Sequence, residues 1–222
     1  MKWRLGRFLL VMLIAIVITG CSTKKDVSTT GNNSENAPQN GGTLVIARLS
    51  DAENLDHHFM STINAASVTH GKIYEGLVGR DENAEIKPLL ADEWKQLDDL
   101  TWEFKLRKDV KFHDGTSFNA DAVKATFDRL LDPTIGSPRA VVFKMVKEVK
   151  AVDEFTVQFI LSEPFSPILS ILASHEGGII SPKSIEKFGK KIINEPNGTG
   201  PFVFESWTSG QEIVFTKNKE YW

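Results

Sequence analysis

Residues 102–115 read WEFKLRKDVKFHDG, and this stretch carries the strongest structural pattern outside the leader. Apolar and charged side chains alternate from Trp102 to Leu106, which is the period of two that a strand with one buried face requires. The alternation resumes at Val110, and Asp114-Gly115 supplies a turn. The stretch therefore predicts β-structure with one face in solvent, a description that fits many secreted β proteins.

Motifs on both sides of this stretch resemble one protein family. Ala-Asp-Glu-Trp at 91–94 precedes it, Tyr-Glu-Gly-Leu at 74–77 comes earlier, and Gly-Thr-Gly-Pro-Phe at 198–202 leads to Tyr221-Trp222. In this order and spacing, the chain resembles the family-5 solute-binding proteins, which serve ABC importers of peptides, glutathione, nickel and related solutes. The resemblance extends from about Gly41 to Trp222.

The resemblance implies a mixed α/β (α+β) fold of the periplasmic-binding-protein-like type II class. Family members are much longer than this chain and close a second lobe over the solute. Residues 41–222 are therefore expected to be the N-terminal part of the family domain, an incomplete first-lobe region from a fragment or a truncated gene product. Ahead of it we expect a signal peptide at 1–20, and a lipidated cysteine with a flexible linker at 21–40.

The leader itself has the features of an export signal. Three basic residues precede an uninterrupted apolar run from Phe8 to Ile18, which is shorter than the roughly 20 residues of a membrane-spanning helix. Ile18-Thr19-Gly20-Cys21 then resembles a lipobox, in which the thiol of Cys21 accepts the lipid. Cys21 is the only cysteine, so no intrachain disulfide can form, and the polar segment 22–40 is expected to be a flexible tether.

Composition limits the classes of partner. The chain has 222 residues, 41% of them hydrophobic and 25% charged, which is typical of a globular protein. The leader holds three basic and no acidic residues, so its removal changes the formal charge from −3 to −6. A nucleic-acid partner is not expected, because such proteins present basic surfaces. The expected partners are a solute, permease subunits in the membrane and the membrane lipid itself, and the complete protein is expected to be a monomer.

The remaining chain predicts short strands and separate helices. A helix is indicated from Asn64 to Tyr74, and a second begins at the N-cap Asn119 and stops before Pro133. Other expected elements are listed by range: strand Thr43–Arg48, a hairpin of Val149–Val152 with Phe155–Leu161, a buried helix Ile168–Ala173, a helix after Ser181-Pro182 that ends at Gly189, and strands Val203–Trp207 and Ile213–Lys217. Leu89–Ala91 and Trp94 are interpreted as apolar anchors between polar turns.

Motifs of known enzyme classes are missing from the sequence. It contains no G-x-S-x-G elbow and no H-E-x-x-H, and Pro201-Phe202 stand where a phosphate loop needs Lys-Ser/Thr. Gly198 and Gly200 are interpreted as turn glycines with positive φ. Asp98-Asp99 is interpreted as a solvated turn rather than a carboxylate pair. We expect capture without catalysis, without a cofactor and without a bound metal.

The five histidines are interpreted one by one. His57-His58 is assigned a loop role without metal, because adjacent side chains point apart in extended backbone. His113 is expected to be exposed, and His70 to lie on a helix surface. His175 is the most interesting, because it lies in a small polar loop between a predicted buried helix and the apolar pair Ile179-Ile180, and loops held by rigid elements are where ligands bind.

Seven residues are candidates for contact with the solute. The resemblance places the ligand cleft against the loop around Phe59-Met60, near Arg139–Phe143, and against the polar loop that holds Ser174, His175 and Glu176. Arg139 offers a guanidinium that can pair with a ligand carboxylate through two hydrogen bonds, with a solvated surface Arg as the alternative. For Phe59, Met60 and Phe143 the alternative is packing in the core, the usual position of apolar side chains.

These observations predict a lipid-anchored, extracytoplasmic solute-binding component of an ABC importer, which captures peptides and delivers them to a membrane permease. Glutathione and dipeptides are favoured, followed by longer oligopeptides and then nickel complexes or other solutes. Two other classes stay open. One is an exported hydrolase, and the other is a lipoprotein that serves surface interaction or signalling without transport.

Overall fold

A computed structural model describes residues 41–222, with the side chains of residues 190 and 191 left out. The proposed signal peptide, Cys21 and the tether lie outside the described residues. The chain divides after Ile46, and Ala47–Trp222 form one unit. The strand predicted at Thr43–Arg48 is wrong, because residues 41–48 are exposed and pair with no strand among the described residues. An extended segment without a ladder partner leaves its N–H and C=O groups to water.

The described part of the chain contains eight strands in three antiparallel sheets. The strands are β1 Val78–Arg80, β2 Ile86–Pro88, β3 Ala91–Asp98, β4 Thr101–Leu106, β5 Val146–Asp153, β6 Thr156–Leu161, β7 Phe202–Thr208 and β8 Glu212–Lys217. Strands β3, β4, β6 and β5 form the largest sheet in that order, whereas β1 pairs with β2 and β7 pairs with β8. The mixture of α and β structure confirms the predicted fold class.

The four helices in the described residues are short. They are α1 Ile63–Thr69, α2 Ala120–Leu131, α3 Ile168–Leu172 and α4 Pro182–Phe188. Three 3₁₀ segments accompany them, at Pro138–Phe143, His175–Gly177 and Gly189–Asn194. No helix within residues 41–222 combines the length and the apolar character that crossing a membrane requires.

The alternating stretch forms β4 as predicted. Phe104 and Leu106 are buried while Lys105 is exposed, and Phe104 lies opposite Val157 of β6. The hairpin that joins β5 and β6 is also confirmed. The turn predicted at Asp98-Asp99 is shifted by one residue, because Asp98 ends β3 and Asp99-Leu100 form the turn, with both aspartates exposed. Among the predicted anchors, Leu90 and Ala91 are completely buried and Trp94 packs against the core. Their placement between turns is wrong from Ala91 onward, because these residues form β3, the edge strand beside β4.

Helix α2 covers one face of the large sheet. The Asn119 side chain caps it by accepting a hydrogen bond from the Ala122 N–H at 3.0 Å, as the sequence predicts. Phe127 lies completely buried, with its ring centroid 4.9 Å from that of Phe159 and 5.2 Å from that of Phe143. Edge-to-face packing of this kind forms the centre of the largest apolar core.

Helix α1 is shorter than predicted. It ends at Thr69, because the chain turns at Gly71 with φ +65°, a conformation that favours glycine. Ile73 and Tyr74 lie beyond the end of the helix and are completely buried in a smaller core with Ile180 and Ile192.

Gly198 and Gly200 are needed for a different reason from the one predicted. Neither glycine is among those with a positive φ. A Cβ on Gly198 would stand 2.1 Å from the carbonyl oxygen of Ile73, and one on Gly200 would stand 2.3 Å from that of Lys72. The 198–202 loop therefore packs its backbone directly on the backbone of residues 72–73, and this close approach requires glycine.

Candidate solute-binding site

A tight turn follows Leu55 and presents the residues of the first predicted cleft loop. The N–H groups of Phe59 and Met60 both donate to the carbonyl oxygen of Asp56, at 2.8 and 3.1 Å. The Asp56 carboxylate accepts the His58 N–H at 3.0 Å. Short polar residues such as Asp stabilise turns by accepting nearby backbone N–H groups, so the shape of this turn depends on Asp56.

An arginine of helix α2 fixes this turn through its side chain. Arg129 and Asp56 form a completely buried ion pair, in which Nη2 lies 2.5 Å from Oδ2 and Nη1 lies 3.3 Å from Oδ1. Arg129 Nη1 also donates to Nδ1 of His58 at 2.7 Å, and Nη2 donates to the carbonyl oxygen of Gly189 at 3.1 Å. One guanidinium therefore joins helix α2, the turn and the chain after α4.

His57 and His58 are completely buried beside this ion pair. The pKa of His57 is lowered to about 3, chiefly by burial and also by the positive charge of Arg129. Burial also lowers the pKa of His58 well below its ordinary value, with His57 and Arg129 adding to the effect. Among residues 41–222 no group of three His, Cys, Asp or Glu side chains is arranged to hold a metal ion.

Arg139 connects the turn to the polar loop at 174–176. Its Nε donates to the carbonyl oxygen of Met60 at 2.5 Å, and its Nη1 lies 3.7 Å from Oε1 of Glu176. Its backbone N–H donates to Oγ of Ser137 at 3.1 Å, and that hydroxyl donates to the carbonyl oxygen of His58 at 2.6 Å. The side chain of Arg139 remains 24% exposed, so part of the guanidinium still faces solvent.

Glu176 is the centre of the polar loop. Its Oε2 accepts a hydrogen bond from Oγ of Ser174 at 2.6 Å and lies 3.2 Å from Nδ1 of His175. Burial lowers the pKa of His175, while the charge of Glu176 acts in the opposite direction. The nearly buried carboxylate thus orients Ser174, His175 and Arg139 around itself.

The structure brings together four of the seven predicted solute contacts. Arg139, Ser174, His175 and Glu176 form one contiguous group. Phe143 is completely buried against Phe127, so its prediction as a cleft contact is wrong and the core alternative is correct.

The two predicted residues of the first loop have different environments. The side chain of Met60 is also completely buried, in a small apolar core beside helix α1, so only its carbonyl group reaches the cluster. A cleft contact through the Met60 side chain is therefore wrong. Phe59 is half-buried, with its ring centroid 5.6 Å from the Arg129 guanidinium carbon.

Two other histidine predictions have opposite outcomes. His70 is exposed at the end of α1, as predicted. The expectation for His113 is wrong, because its ring is half-buried and its Nε2 lies 2.9 Å from the carbonyl oxygen of Gly200. The 198–202 loop folds over the turn that contains His113 and covers part of its ring.

Glu75 provides a second buried carboxylate, near the place where the 198–202 loop packs on the backbone of residues 72–73. Glu75 accepts hydrogen bonds from the Thr199 hydroxyl at 2.8 Å, from the Tyr221 hydroxyl at 2.7 Å and from the Trp222 indole at 3.2 Å. Burial raises the pKa of Glu75, and these donors act in the opposite direction. The interaction fixes Tyr221-Trp222 against the Tyr74–Leu77 segment, which is a structural role.

The fold and the polar cluster on its loops define a protein of the periplasmic-binding class. The structure is similar to the PBP AgaA from A. tumefacien R10 in complex with agropinic acid, with a TM-score of 0.73 and 30% identity over 78% of this chain and 35% of that chain. It is also similar to NikZ from Campylobacter jejuni in complex with Ni(L-His), with a TM-score of 0.70 and 28% identity over 78% of this chain and 34% of that one.

Within this class, residues 85–222 match the profile of the bacterial extracellular solute-binding proteins, family 5 Middle, and the chain belongs to this family. The glutathione-binding protein GsiB of Escherichia coli strain K12 is 37% identical over 180 residues, which cover 81% of this chain. The chain spans only 35% of the length of that relative.

Sequence reasoning missed the buried network beneath the cluster. Arg129 lies two residues after Phe127 on a helix whose apolar spacing is clear, and nothing in that spacing indicates that an arginine is buried. Its partner Asp56 is 73 residues away in the sequence, in a loop that looks solvated. A possible signal is the crowding of Asp56, His57 and His58 in a single turn, but it does not name their partner.

Proposed function

We propose that this chain is the solute-capturing component of an ABC importer, held at the outer side of the membrane by a lipid on Cys21. It would take up a small peptide, with glutathione and dipeptides favoured over longer oligopeptides, and deliver it to a membrane permease. The observation that carries the proposal is the partly exposed Arg139, fixed by the Met60 carbonyl and by Glu176 in a protein of this family.

The chemistry of the cluster suits a zwitterionic solute. The Nε of Arg139 donates to the Met60 carbonyl, and its Nη1 lies 3.7 Å from Glu176. The N–H groups of the two terminal nitrogens can therefore donate to a carboxylate of the solute. Glu176 faces the Ser174 hydroxyl and His175, which keeps a negative charge close to the positive one. A pair of fixed opposite charges at a half-buried surface favours a ligand that carries both.

The similar proteins support the choice of solute class without deciding it. GsiB is named for glutathione, and DppA from Helicobacter pylori, with 30% identity and a TM-score of 0.69, is described in complex with the peptide STSA. The nickel complex of NikZ motivates the second candidate, a nickel chelate. A surface lipoprotein without transport and an exported hydrolase remain as outcomes that the experiment separates.

The test is direct binding by calorimetry, using the protein in the full length that its gene encodes. The ligands are reduced and oxidised glutathione, di- to pentapeptides, and nickel with and without histidine. We expect a peptide-class ligand to bind and to raise the melting temperature, because a ligand that binds only the native state stabilises it by mass action. Binding of nickel–histidine alone would support the second candidate. Hydrolysis of the peptides would revive the hydrolase.

Two variants separate a specific role of Arg139 from a general loss of charge. Arg139→Gln removes the guanidinium, and we expect binding of the ligand to weaken about 10- to 100-fold, as the loss of a charge-assisted hydrogen bond predicts. Arg80→Gln removes an exposed arginine of β1 and should leave the affinity unchanged. Equal effects of both variants, or no effect of either, would contradict the assigned site.

The anchor has its own test. Cys21→Ser should release the protein from membranes into the soluble fraction, whereas the unaltered chain should sediment with them after a high-salt wash. A Cys21→Ser protein that still sediments under those conditions would contradict lipidation at this cysteine. This result is independent of the binding measurements.

A further inference from the structure

We propose that Arg129, Asp56 and His58 form a positioning device that holds the Arg139 guanidinium in its solute-binding place and that releases it when His58 becomes protonated. The inference rests on the proposed function for its consequence on affinity. Its structural part stands on contacts among buried side chains. None of these three residues lies on the surface that would meet a solute.

The first step is the route by which Arg129 reaches Arg139. Arg129 fixes Asp56 and His58 through its buried guanidinium. The turn that these two residues shape presents two carbonyl groups on its other side. The His58 carbonyl accepts from the Ser137 hydroxyl at 2.6 Å, and the Met60 carbonyl accepts from Arg139 Nε at 2.5 Å.

Arg139 is therefore held at two points by the same turn. Its side chain is held directly by Met60, and its backbone N–H is held through Ser137. Glu176 lies 3.7 Å from Nη1, too far for a strong hydrogen bond, and does not replace these contacts. Opening of the turn would remove both anchors at once.

The second step is the protonation state that the device requires. An arginine N–H can only donate, so the 2.7 Å contact with Arg129 requires a lone pair on His58 Nδ1. His58 must then be neutral, with its proton on Nε2. A proton on Nδ1 would place two donors and two positive charges against each other in a buried site, where unpaired charge is costly.

Other charged or titratable groups surround the device. Asp56 and Arg129 face His58 directly, and the His57 ring lies with its centroid 4.5 Å from that of His58. Tyr74 packs on His57 with the ring centroids 4.3 Å apart, and His175 and His70 act on His57 through their charges. Asp56 is the acidic group in direct contact, and its oxygens are already used by Arg129 and the His58 N–H.

The third step is the consequence of acid. In the closed turn His58 binds a proton only far below the ordinary histidine range, whereas in an open turn it would regain ordinary behaviour. Each pH unit below about 6.5 therefore shifts the equilibrium towards the open turn by about tenfold. A solute that depends on Arg139 would bind more weakly as the pH falls.

The experiment compares the wild-type protein with His58→Asn by hydrogen–deuterium exchange at pH 7.5, 6.5, 5.5 and 4.5. The asparagine Oδ1 takes the place of Nδ1 as an acceptor and does not titrate in this range. At each pH we compare exchange in residues 53–62 and 137–143 between the two proteins, which cancels the intrinsic effect of pH on exchange. We expect the wild-type to variant ratio to rise about tenfold for each unit below 6.5 in both segments.

Affinity for the solute is measured on the same proteins over the same pH range. The wild-type affinity should fall with pH more steeply than that of His58→Asn, and any dependence shared by both belongs to other groups such as His175, whose pKa burial lowers. Arg129→Lys keeps the positive charge but loses the planar guanidinium, whose two terminal nitrogens bond Asp56 and His58 together. This variant should weaken binding of the solute about tenfold or more at pH 7.5. Lys124→Gln, on the exposed side of the same helix, is the control that should change nothing.

The outcomes are distinguishable. A ratio that stays flat with pH overturns the role of His58. Exchange that rises in 53–62 but not in 137–143, or a turn that opens without loss of affinity, overturns the positioning of Arg139. Absence of any solute binding overturns the proposed function, while the two exchange segments still decide the device. If His58→Asn does not fold, the device is supported by exchange that rises with acid in parallel in both wild-type segments and that is already raised at neutral pH in Arg129→Lys. Absence of either result overturns it.

Discussion

Phe127 and Arg129 lie two residues apart on helix α2, and both are nearly or completely buried, but they face two differently built regions. Phe127 enters an apolar core in which its neighbours are other aromatic and aliphatic side chains. Arg129 enters a polar junction in which its two terminal nitrogens hydrogen-bond to specific atoms of the 56–58 turn and of Gly189. The stability of the apolar region depends on the volume that its side chains fill. The stability of the polar region depends on each buried polar group keeping its hydrogen-bond partner.

This difference separates stability from function in the molecule. The apolar core joins α2 to the large sheet and would tolerate exchange of one apolar side chain for another of similar volume. The polar junction holds the loops of the candidate site, where loss of a single partner leaves a charge buried without compensation. Variants that disturb one region and spare the other test whether the two are independent.

The largest expected effect comes from Phe127→Ala. Removal of the ring takes away two edge-to-face contacts, with Phe143 and Phe159, and leaves a cavity between helix and sheet. We expect a loss of about 3–5 kcal/mol in the free energy of unfolding, measured by urea denaturation. Phe202→Ala, at a side chain that is 43% exposed, should lose far less. Similar losses in both variants would contradict the assignment of Phe127 to the centre of the core.

Gly198→Ala tests a third kind of contact, in which backbone packs on backbone. The new methyl group would stand 2.1 Å from the carbonyl oxygen of Ile73, so the 198–202 loop must move away. We expect a loss of about 1–3 kcal/mol in unfolding free energy, the usual cost of forcing atoms into a packed interior.

Gly79→Ala is the matched control for this change. A Cβ at Gly79 would meet the Leu89 side chain at 3.4 Å, which is ordinary contact. That variant should be neutral or slightly more stable, because alanine restricts the unfolded chain. Equal destabilisation of the two variants would mean that close backbone approach is not the reason for glycine at position 198.

Sequence patterns predict the apolar region well, because its signals are local. Alternation gives β4, helical spacing and a capping residue give α2, and Ser181-Pro182 with Gly189 gives the bounds of α4. The error at Ala91–Trp94 arises because the local signal is weak there. Polar side chains on an edge strand hide its pattern, and only the pairing with β4 defines it.

The polar junction and the close loop packing depend on residues distant in the sequence. The family resemblance predicts Arg139 and the 174–176 loop as candidates. It misplaces Phe143 and Met60, because an apolar residue beside a cleft and one in the core have the same appearance in a sequence. The sequence predicts a turn glycine at Gly198, because a turn glycine and a glycine that accommodates a neighbouring backbone cannot be distinguished without knowledge of the neighbour.

The pH dependence of stability distinguishes the polar junction from the apolar core. The pKa of His57, about 3 in the folded protein, lies below its value in the unfolded chain, so the unfolded state binds the proton first. The stabilisation is complete above about pH 6.5 and is lost as the pH falls towards 3. We expect urea denaturation to show a loss of about 1.4 kcal/mol per pH unit from this residue within that window.

His57→Gln isolates this contribution. The glutamine amide keeps a donor for the Gly178 carbonyl, which lies 2.8 Å from His57 Nε2, but it does not titrate. Glu75 acts in the opposite direction, because burial raises its pKa, and it is common to both proteins. A slope with pH that is identical in wild type and His57→Gln would contradict burial of a neutral His57.

The smallest expected effect is at the start of α2, where the two regions share one helix. Asn119→Ala removes the acceptor of the Ala122 N–H and should cost about 1 kcal/mol in unfolding free energy. Asn119→Asp retains an acceptor and adds a negative charge at the helix N-terminus, so it should be at least as stable as the wild type. The cap lies ten residues from Arg129, so neither variant should alter deuterium exchange in residues 53–62. A change there would mean that the polar junction responds to the stability of the whole helix, and that the two regions are one cooperative unit.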